Sequence, residues 1–297
     1  MTLEVLLHFT VADVRLLFWK LLFTVLPEFE LEARTESGIF KFSSKDHVIG
    51  RHLFLERSFD NEKVEKAVQL ATRLGCISDK NDGYLIDIGA NVGTVSISLV
   101  KKGVFSHALA FEPEPKNYRF LVSNIEANML GRAIRPFKYA LSASEGELEL
   151  KLSPENHGDH RLQTQTAESH RTTRPKRART SIPVPVRPLD HILESVGIKY
   201  HEVKLVWMDV QGHEKHVMEG AEGLIKSGVP VVTEFWPDGL SQAGISSQTF
   251  STFISTIFTS VYDLSEETPR RRSSSDMPLL FDSYCGPRFT DLLLVSH

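Results

Sequence analysis

From residue 84 onward, short apolar runs alternate with stretches of helical periodicity, and no other feature narrows the fold so much. Residues 84–88 read as a strand, followed by a glycine-rich turn and a helix from about 92 to 100. Residues 107–111 form a second strand, 117–128 a second helix, 134–140 a third strand and 148–152 a small extra one. Residues 205–209 and 229–235 are two further strands, with a helix over about 213–226 between them. Strands alternating with helices of this length require right-handed crossovers and a parallel sheet. Residues 258–264 and 292–295 are placed to pair antiparallel at the far edge, the last run closing the fold. The polar stretch between them holds Arg270, Arg271 and Arg272 followed by three serines.

The 297 residues carry 34 Lys+Arg against 38 Asp+Glu, a formal charge of -4. That balance argues against a nucleic-acid partner, which requires a basic surface. Cys76 and Cys285 make neither a disulfide framework nor a metal cluster, so a reducing, cytoplasmic setting is the simpler expectation. Residues 1–82 read as a helical leader and substrate-side cap, and 83–297 as the main domain. In the leader, Leu3, Leu6, Leu7, Val14, Leu17, Phe18, Leu21, Leu22 and Val25 recur at helical spacing until Pro27. Glu4, Asp13, Arg15 and Lys20 interrupt the run, so it is too broken for a spanning helix. Such a face suits a helix capping the domain, a dimer contact, or peripheral attachment to a membrane through residues 3–26. Residues 39–42 alternate like a strand. Asp60 stands as N-cap to a helix over 61–74 that ends at Gly75, but Lys63 occupies the place where a capping box wants an acid. Residues 153–181 break the rhythm as a polar basic insertion. Between 161 and 180 six basic residues (Arg161, Arg171, Arg174, Lys176, Arg177 and Arg179) stand against the single acid Glu168.

The turn after the first strand of the main domain reads Asp87-Ile88-Gly89-Ala90-Asn91-Val92-Gly93. Gly89 allows a sharp turn and close backbone approach to a ligand, and the following helix points free N–H groups into the same space. A dinucleotide fingerprint would read G-x-G-x-x-G and meet a pyrophosphate. Here Asn91 interrupts that pattern and Asp87 precedes it, a carboxylate that repels phosphate but suits a cationic amino-acid group. S-adenosyl-L-methionine carries an ammonium and a sulfonium and no phosphate, so the turn favours that cofactor over NAD. Glu112, directly after the second strand, is placed to accept ribose hydroxyls. Glu114 reads as ordinary surface.

A second polar cluster follows the strand at 205–209. Ligand sites of parallel sheets lie at the carboxyl ends of the strands, so Asp209 faces the same crevice as Gly89 and Glu112. His213 and Glu214 open the next helix, and Glu234 ends the next strand. A hydroxyl becomes a good nucleophile only as its proton leaves, and His213 has the most suitable ordinary pKa for a base. Asp209 either orients that base, binds the acceptor or is itself the base; Glu214 and Glu234 are placed to hold polar groups of the acceptor. His213-Glu214-Lys215-His216 misses the zinc motif H-E-x-x-H by one residue, and no metal is required.

In combination and order, these segments resemble the FkbM-type S-adenosylmethionine-dependent methyltransferases. The matching stretches are IDIGANVG at 86–93, FEPEPKNYRFLVSNIEAN at 111–128, ALSASEGELEL at 140–150, VPVRPLDHIL at 184–193, WMDVQGHEKHVMEGA at 207–221 and VPVVTEF at 229–235. The resemblance implies an α/β, Rossmann-like class I methyltransferase fold. Its sheet would have seven strands in the order 3-2-1-4-5-7-6, mostly parallel with one antiparallel strand. It implies methyl transfer to a hydroxyl of a small molecule or glycan. An N-methyltransferase or a non-catalytic partner-binding protein of the same fold remains an alternative. By the same resemblance Asp87, Gly89, Asn91 and Gly93 line the methionine side, Glu112 binds ribose, and Asn124 and Asn128 lie near the adenine. Asp209, His213, Glu214 and Glu234 match the family's D-x-x-G-H-E segment and the strand-end acid after it. Gln211 departs from the family, which usually has an acid there.

Overall fold

The computed structural model describes residues 11–78, 82–154, 156–163 and 180–296, with backbone alone at 11–13 and 22. After a helix at Val11–Val25 comes a hairpin of β1 (Glu30–Thr35) and β2 (Gly38–Ser43), then helices Ile49–Leu55 and Asn61–Arg73. The main sheet begins with β3 (Tyr84–Ile88), β4 (His107–Phe111) and β5 (Ile134–Phe137). The chain then leaves it for β6 (Ala140–Leu141), β7 (Gly146–Lys151), β8 (Arg161–Gln163) and β9 (Ser181–Arg187). It returns as β10 (Val203–Met208), β11 (Val231–Phe235), β12 (Ser260–Asp263), β13 (Arg272–Ser273) and β14 (Thr290–Val295).

These strands correct the expected seven-stranded, mostly parallel Rossmann-like sheet. The main sheet is mixed and eight-stranded, in the order β13-β12-β14-β11-β10-β3-β4-β5. The run from β11 to β5 is parallel, whereas β11–β14, β14–β12 and β12–β13 are antiparallel. A separate four-stranded sheet has the order β6-β9-β7-β8. The extra pieces escaped the sequence reading for physical reasons. A two-residue strand such as β13 has no hydrophobic period to read; it is held by side chains, Arg271 Nε donating to Ser260 Oγ at 2.8 Å and Arg272 pairing with Glu266. In β9, Pro183 and Pro185 obscure a strand whose alternate residues Val184 and Val186 are buried. The expected strand over 134–140 splits between the two sheets, and the helix over 213–226 breaks into Glu214–Glu219 and Glu222–Lys226.

Two apolar cores lie on opposite faces of the main sheet. Ile86, Leu109, Val206 and Leu292 face helices Leu189–Val196, Ser247–Ile257 and Met277–Ser283. Leu85, Ala108, Leu205 and Leu293 face helices Asn61–Arg73, Thr94–Lys101 and Pro115–Ala127. The leader therefore covers the same face as the two helices that follow β3 and β4. Its first helix buries Trp19 against Phe54, with ring centroids 5.4 Å apart, and leaves Val14, Leu17, Leu21 and Val25 exposed. Residues 3–10 and the centre of the basic insertion, 164–179, lie outside the described residues. Among the described residues no helix is long and apolar enough to cross a membrane.

The hairpin is fastened by two asparagines rather than by greasy contact alone. Asn128 accepts from the Ile39 N–H at 2.9 Å and donates to the Ile39 carbonyl at 2.8 Å. Asn124 accepts from the Lys41 N–H at 2.6 Å and donates to the Lys41 carbonyl at 3.1 Å. A helix advances about 6 Å in four residues, close to the two-residue repeat of a strand. Side-chain amides four apart thus stand in for the backbone of a neighbouring strand. Asn124→Leu is expected to strand those two backbone groups and cost about 1–3 kcal/mol, read as a lower denaturation midpoint and faster hydrogen exchange at Lys41.

Candidate active site

Strand register brings the acids together. Ile88 pairs with both Met208 and Phe111, so β3, β4 and β10 end level and release Gly89, Glu112 and Asp209 at one edge. Met208 pairs with Thr233, which sets Glu234 beside Asp209, and the antiparallel register sets Asp291 opposite Glu234. A cleft of about 1060 Å³ opens over these strand ends, with Asp60, Lys63, Asp87, Asp209, Glu234 and Asp291 among its lining. A smaller pocket of about 50 Å³ shares its edge and is lined by Gly89, Asn91, Glu112, Asn117, His157 and Asp209, among others.

The turn after β3 is built for close approach. Gly89 has φ +81°, and a Cβ there would stand 2.0 Å from the Asp209 carbonyl oxygen, so only glycine fits. Asn91, also left-handed at φ 51°, donates its N–H to Glu112 Oε2 at 2.9 Å and its Nδ2 to the His157 carbonyl at 2.8 Å. Its Oδ1 is buried without a hydrogen-bond partner. Gly93 lines neither cavity; a Cβ there would meet Leu121 and Ile97 side chains at 2.8 and 2.9 Å, so helix packing accounts for it. Asp87 is buried and accepts from the Ser96 N–H at 3.0 Å, in the first turn of helix Thr94–Lys101. Burial pushes its carboxyl up to about 7, with Asp209 adding to the rise and Ser96 opposing it. Burial lifts Glu112 to about 8, although the Glu114 and Asn91 N–H groups favour its ionised form. Glu114 is not surface: it is buried, and its carboxylate caps helix Pro115–Ala127 by accepting from the Asn117 N–H at 2.6 Å.

The second cluster is organised around Gln211. At φ 54° its side-chain amide donates to Asp209 Oδ1 at 2.7 Å and to Glu234 Oε2 at 2.8 Å. An acid at this position would add a third negative charge; glutamine supplies two donors instead. Burial raises the Asp209 carboxyl, with Lys63 and Gln211 opposing. Glu234 is pushed well above the ordinary range by burial and by Asp209, Glu214 and Asp291. Glu214 accepts from the Gly212 N–H at 3.0 Å and lines neither cavity, with burial lifting it to about 7. His213 lines neither cavity as well. Its Nε2 pairs with Ser142 Oγ at 3.0 Å, its ring stacks on His216 at 4.6 Å, and burial drives its pKa down to about 3. Asn128 sits on the hairpin seam, away from both cavities.

Lys63, Asp60 and Asp291, which sequence reasoning did not assign to the site, stand in the cleft. Lys63 Nζ lies 2.7 Å from Asp60 Oδ2 and 3.1 Å from Asp291 Oδ2. The signal for Lys63 was its misfit with the capping box; Asp60 itself adopts φ 54° and makes no side-chain cap. Asp291 gave no signal, being one polar residue ahead of an apolar strand. Among the described residues, no group of three or more His, Cys, Asp or Glu side chains is arranged to hold a metal ion.

A crevice at the carboxyl ends of parallel strands, entered by a glycine turn, is the ligand site of open α/β sheets. Residues 87–263, more than half of the chain, match the Methyltransferase FkbM domain, and the chain belongs to that family. It is similar to the hexuronic acid methyltransferase AglP of Haloferax volcanii, 29% identical over 157 residues, covering 52% of this chain and 56% of that protein. It is similar also to Methyltransferase 1 of Beauveria bassiana, 23% identical over 150 residues, covering 48% and 59%. The chain thus spans little more than half the length of these curated relatives. A crystal structure of Methyltransferase FkbM from Methylobacillus flagellatus aligns with 80% of this chain and 56% of its own, at 14% identity and a TM-score of 0.45.

The raised carboxyls have a direct consequence for stability. A carboxyl whose folded pKa lies above its unfolded value binds its proton more tightly in the native state, so its contribution is full at low pH and lost as pH rises through the folded value. For Asp87, Glu112, Glu214 and Asp291 that loss runs through about 6 to 8. The ligand-free protein is expected to melt at a lower temperature at pH 8.5 than at pH 6 in thermal denaturation followed by circular dichroism.

Proposed function

We propose that this chain is an S-adenosylmethionine-dependent methyltransferase that acts on a hydroxyl oxygen of a small molecule or glycan. The observation that carries the reading is a row of buried carboxylates short of positive charge. Asp87, Asp209, Glu234 and Asp291 share one cleft and all are shifted toward their neutral forms. A ligand bearing an ammonium and a sulfonium answers that deficit, whereas a dinucleotide would bring phosphate against Asp87. Glu112 also fits: an ionised carboxylate offers about four lone-pair sites, so it can accept a ribose diol beyond the two N–H groups it already receives. The unpartnered Asn91 Oδ1 is a further acceptor beside the same pocket.

When bound, the cofactor supplies an electrophilic methyl group. The chain's own residues would then position the acceptor and take its proton. Asp209 borders both cavities and carries a raised pKa, which suits a general base near neutral pH. Gln211 orients it and Glu234 together. This reading moves the base from His213, whose Nε2 is engaged by Ser142, to Asp209. The name of the haloarchaeal relative favours a sugar-type acceptor.

Isothermal calorimetry is expected to detect S-adenosylmethionine binding and no NAD binding. Asp209→Asn should lower kcat by about 10²–10⁴-fold, while His213→Ala should retain a pH–rate profile of wild-type shape. Because the ionised carboxylate is the active form, wild-type rate rises with pH through the Asp209 value. Label from tritiated methyl donor found on nitrogen or carbon of the product, or normal turnover by Asp209→Asn, would overturn the assignment.

A further inference from the structure

Lys63 and Asp291 both lie outside the 87–263 segment shared with the family, yet they meet on one wall of the cleft. Three elements fix the Lys63 ammonium. Asp60 holds it from the start of its own helix at 2.7 Å, Asp291 holds it from β14 at 3.1 Å, and the Trp207 ring of β10 lies 6.0 Å beneath it. The charged groups that act on Asp209 include Lys63 and the acids Asp60, Asp87, Asp159, Glu214, Glu234 and Asp291, and Arg161 lines the same cleft. Gln211 contributes donors but no charge. An ammonium favours the ionised form of a nearby carboxyl, and a second carboxylate disfavours it. Burial draws the Lys63 ammonium toward neutrality, but Asp291, Asp60 and Asp209 more than reverse this and keep it charged.

We propose that Lys63 is a positioning residue of the transfer reaction: it is the counter-ion that opposes burial at Asp209 and favours the ionised form able to take the acceptor's hydroxyl proton. The electron pair of the broken O–H bond stays on the acceptor oxygen, and the proton goes to Asp209. Asp60 and Asp291 tether the ammonium; Asp291 also competes with Asp209 for it. The inference rests on the methyltransferase reading for the use of that ionised carboxylate, but not for its existence.

The test follows the Asp209 carboxyl carbon by NMR in protein carrying ¹³C-labelled aspartate, assigned by its loss in Asp209→Asn. Lys63→Met is expected to raise its titration midpoint by about one pH unit or more, and Lys63→Arg to restore it. Asp291→Asn should shift it the other way, because one repelling charge is removed and Lys63 is freed. If Lys63→Met does not fold, Lys63→Gln, which keeps a polar group between Asp60 and Asp291, carries the same test. Where methyl transfer is measurable, the acid limb of kcat/KM should move with the midpoint, for about tenfold less rate below it in Lys63→Met. A midpoint unmoved when Lys63 is replaced by a neutral residue, or a uniform loss of rate at every pH, would overturn the counter-ion role. Expected midpoint shifts in a protein that transfers no methyl group would support the counter-ion and overturn the function instead.

Discussion

Carboxylates crowd the ends of four adjacent strands, and the site is organised by the need to keep them there. Asp87, Asp209, Glu234 and Asp291 come from β3, β10, β11 and β14, and strand register leaves them no freedom to separate. Buried like charges raise one another's pKa and favour protonation. Two devices relieve the strain: Gln211 donates to Asp209 and Glu234, and Lys63 reaches in from the leader to Asp60 and Asp291. What remains is a cleft in which acidic side chains outnumber basic ones.

Residues of the leader line the same cleft. Its hairpin is fastened to helix Pro115–Ala127 through Asn124 and Asn128, and its helix Asn61–Arg73 brings Lys63 to the cleft. Lys63 can reach Asp291 because its helix packs on the face of the sheet that Leu293, two residues on in β14, also faces. The leader is therefore part of the site's wall.

The alternating rhythm from residue 84 made the parallel strands legible, because each carries a continuous apolar run and each helix a periodic face. Asp87, Asp209 and Glu234 were legible because each stands at or beside the end of such a run. His213 and Gly93 looked functional for the same reason, but position in a motif does not say which way a side chain turns. The structure turns His213 toward Ser142 and His216, and packs Gly93 against Leu121 and Ile97. Glu114 seemed solvated because the helix was read as starting at 117; Pro115 at its true first position was the signal that marks Glu114 as the cap. Lys63 broke a local rule, and such breaks cluster where function overrides propensity. The edge strand β13 and the proline-bearing β9 carried too weak a pattern for the eight-stranded and four-stranded sheets to be foreseen.

Gly89 carries a last implication. Its α-carbon presses so near the Asp209 carbonyl that no side chain can intervene. The turn after β3 and the end of β10 are thus gauged against each other chiefly by main-chain atoms. Mutation can redraw the walls of the cleft, widening or narrowing it, without altering the spacing between these two segments.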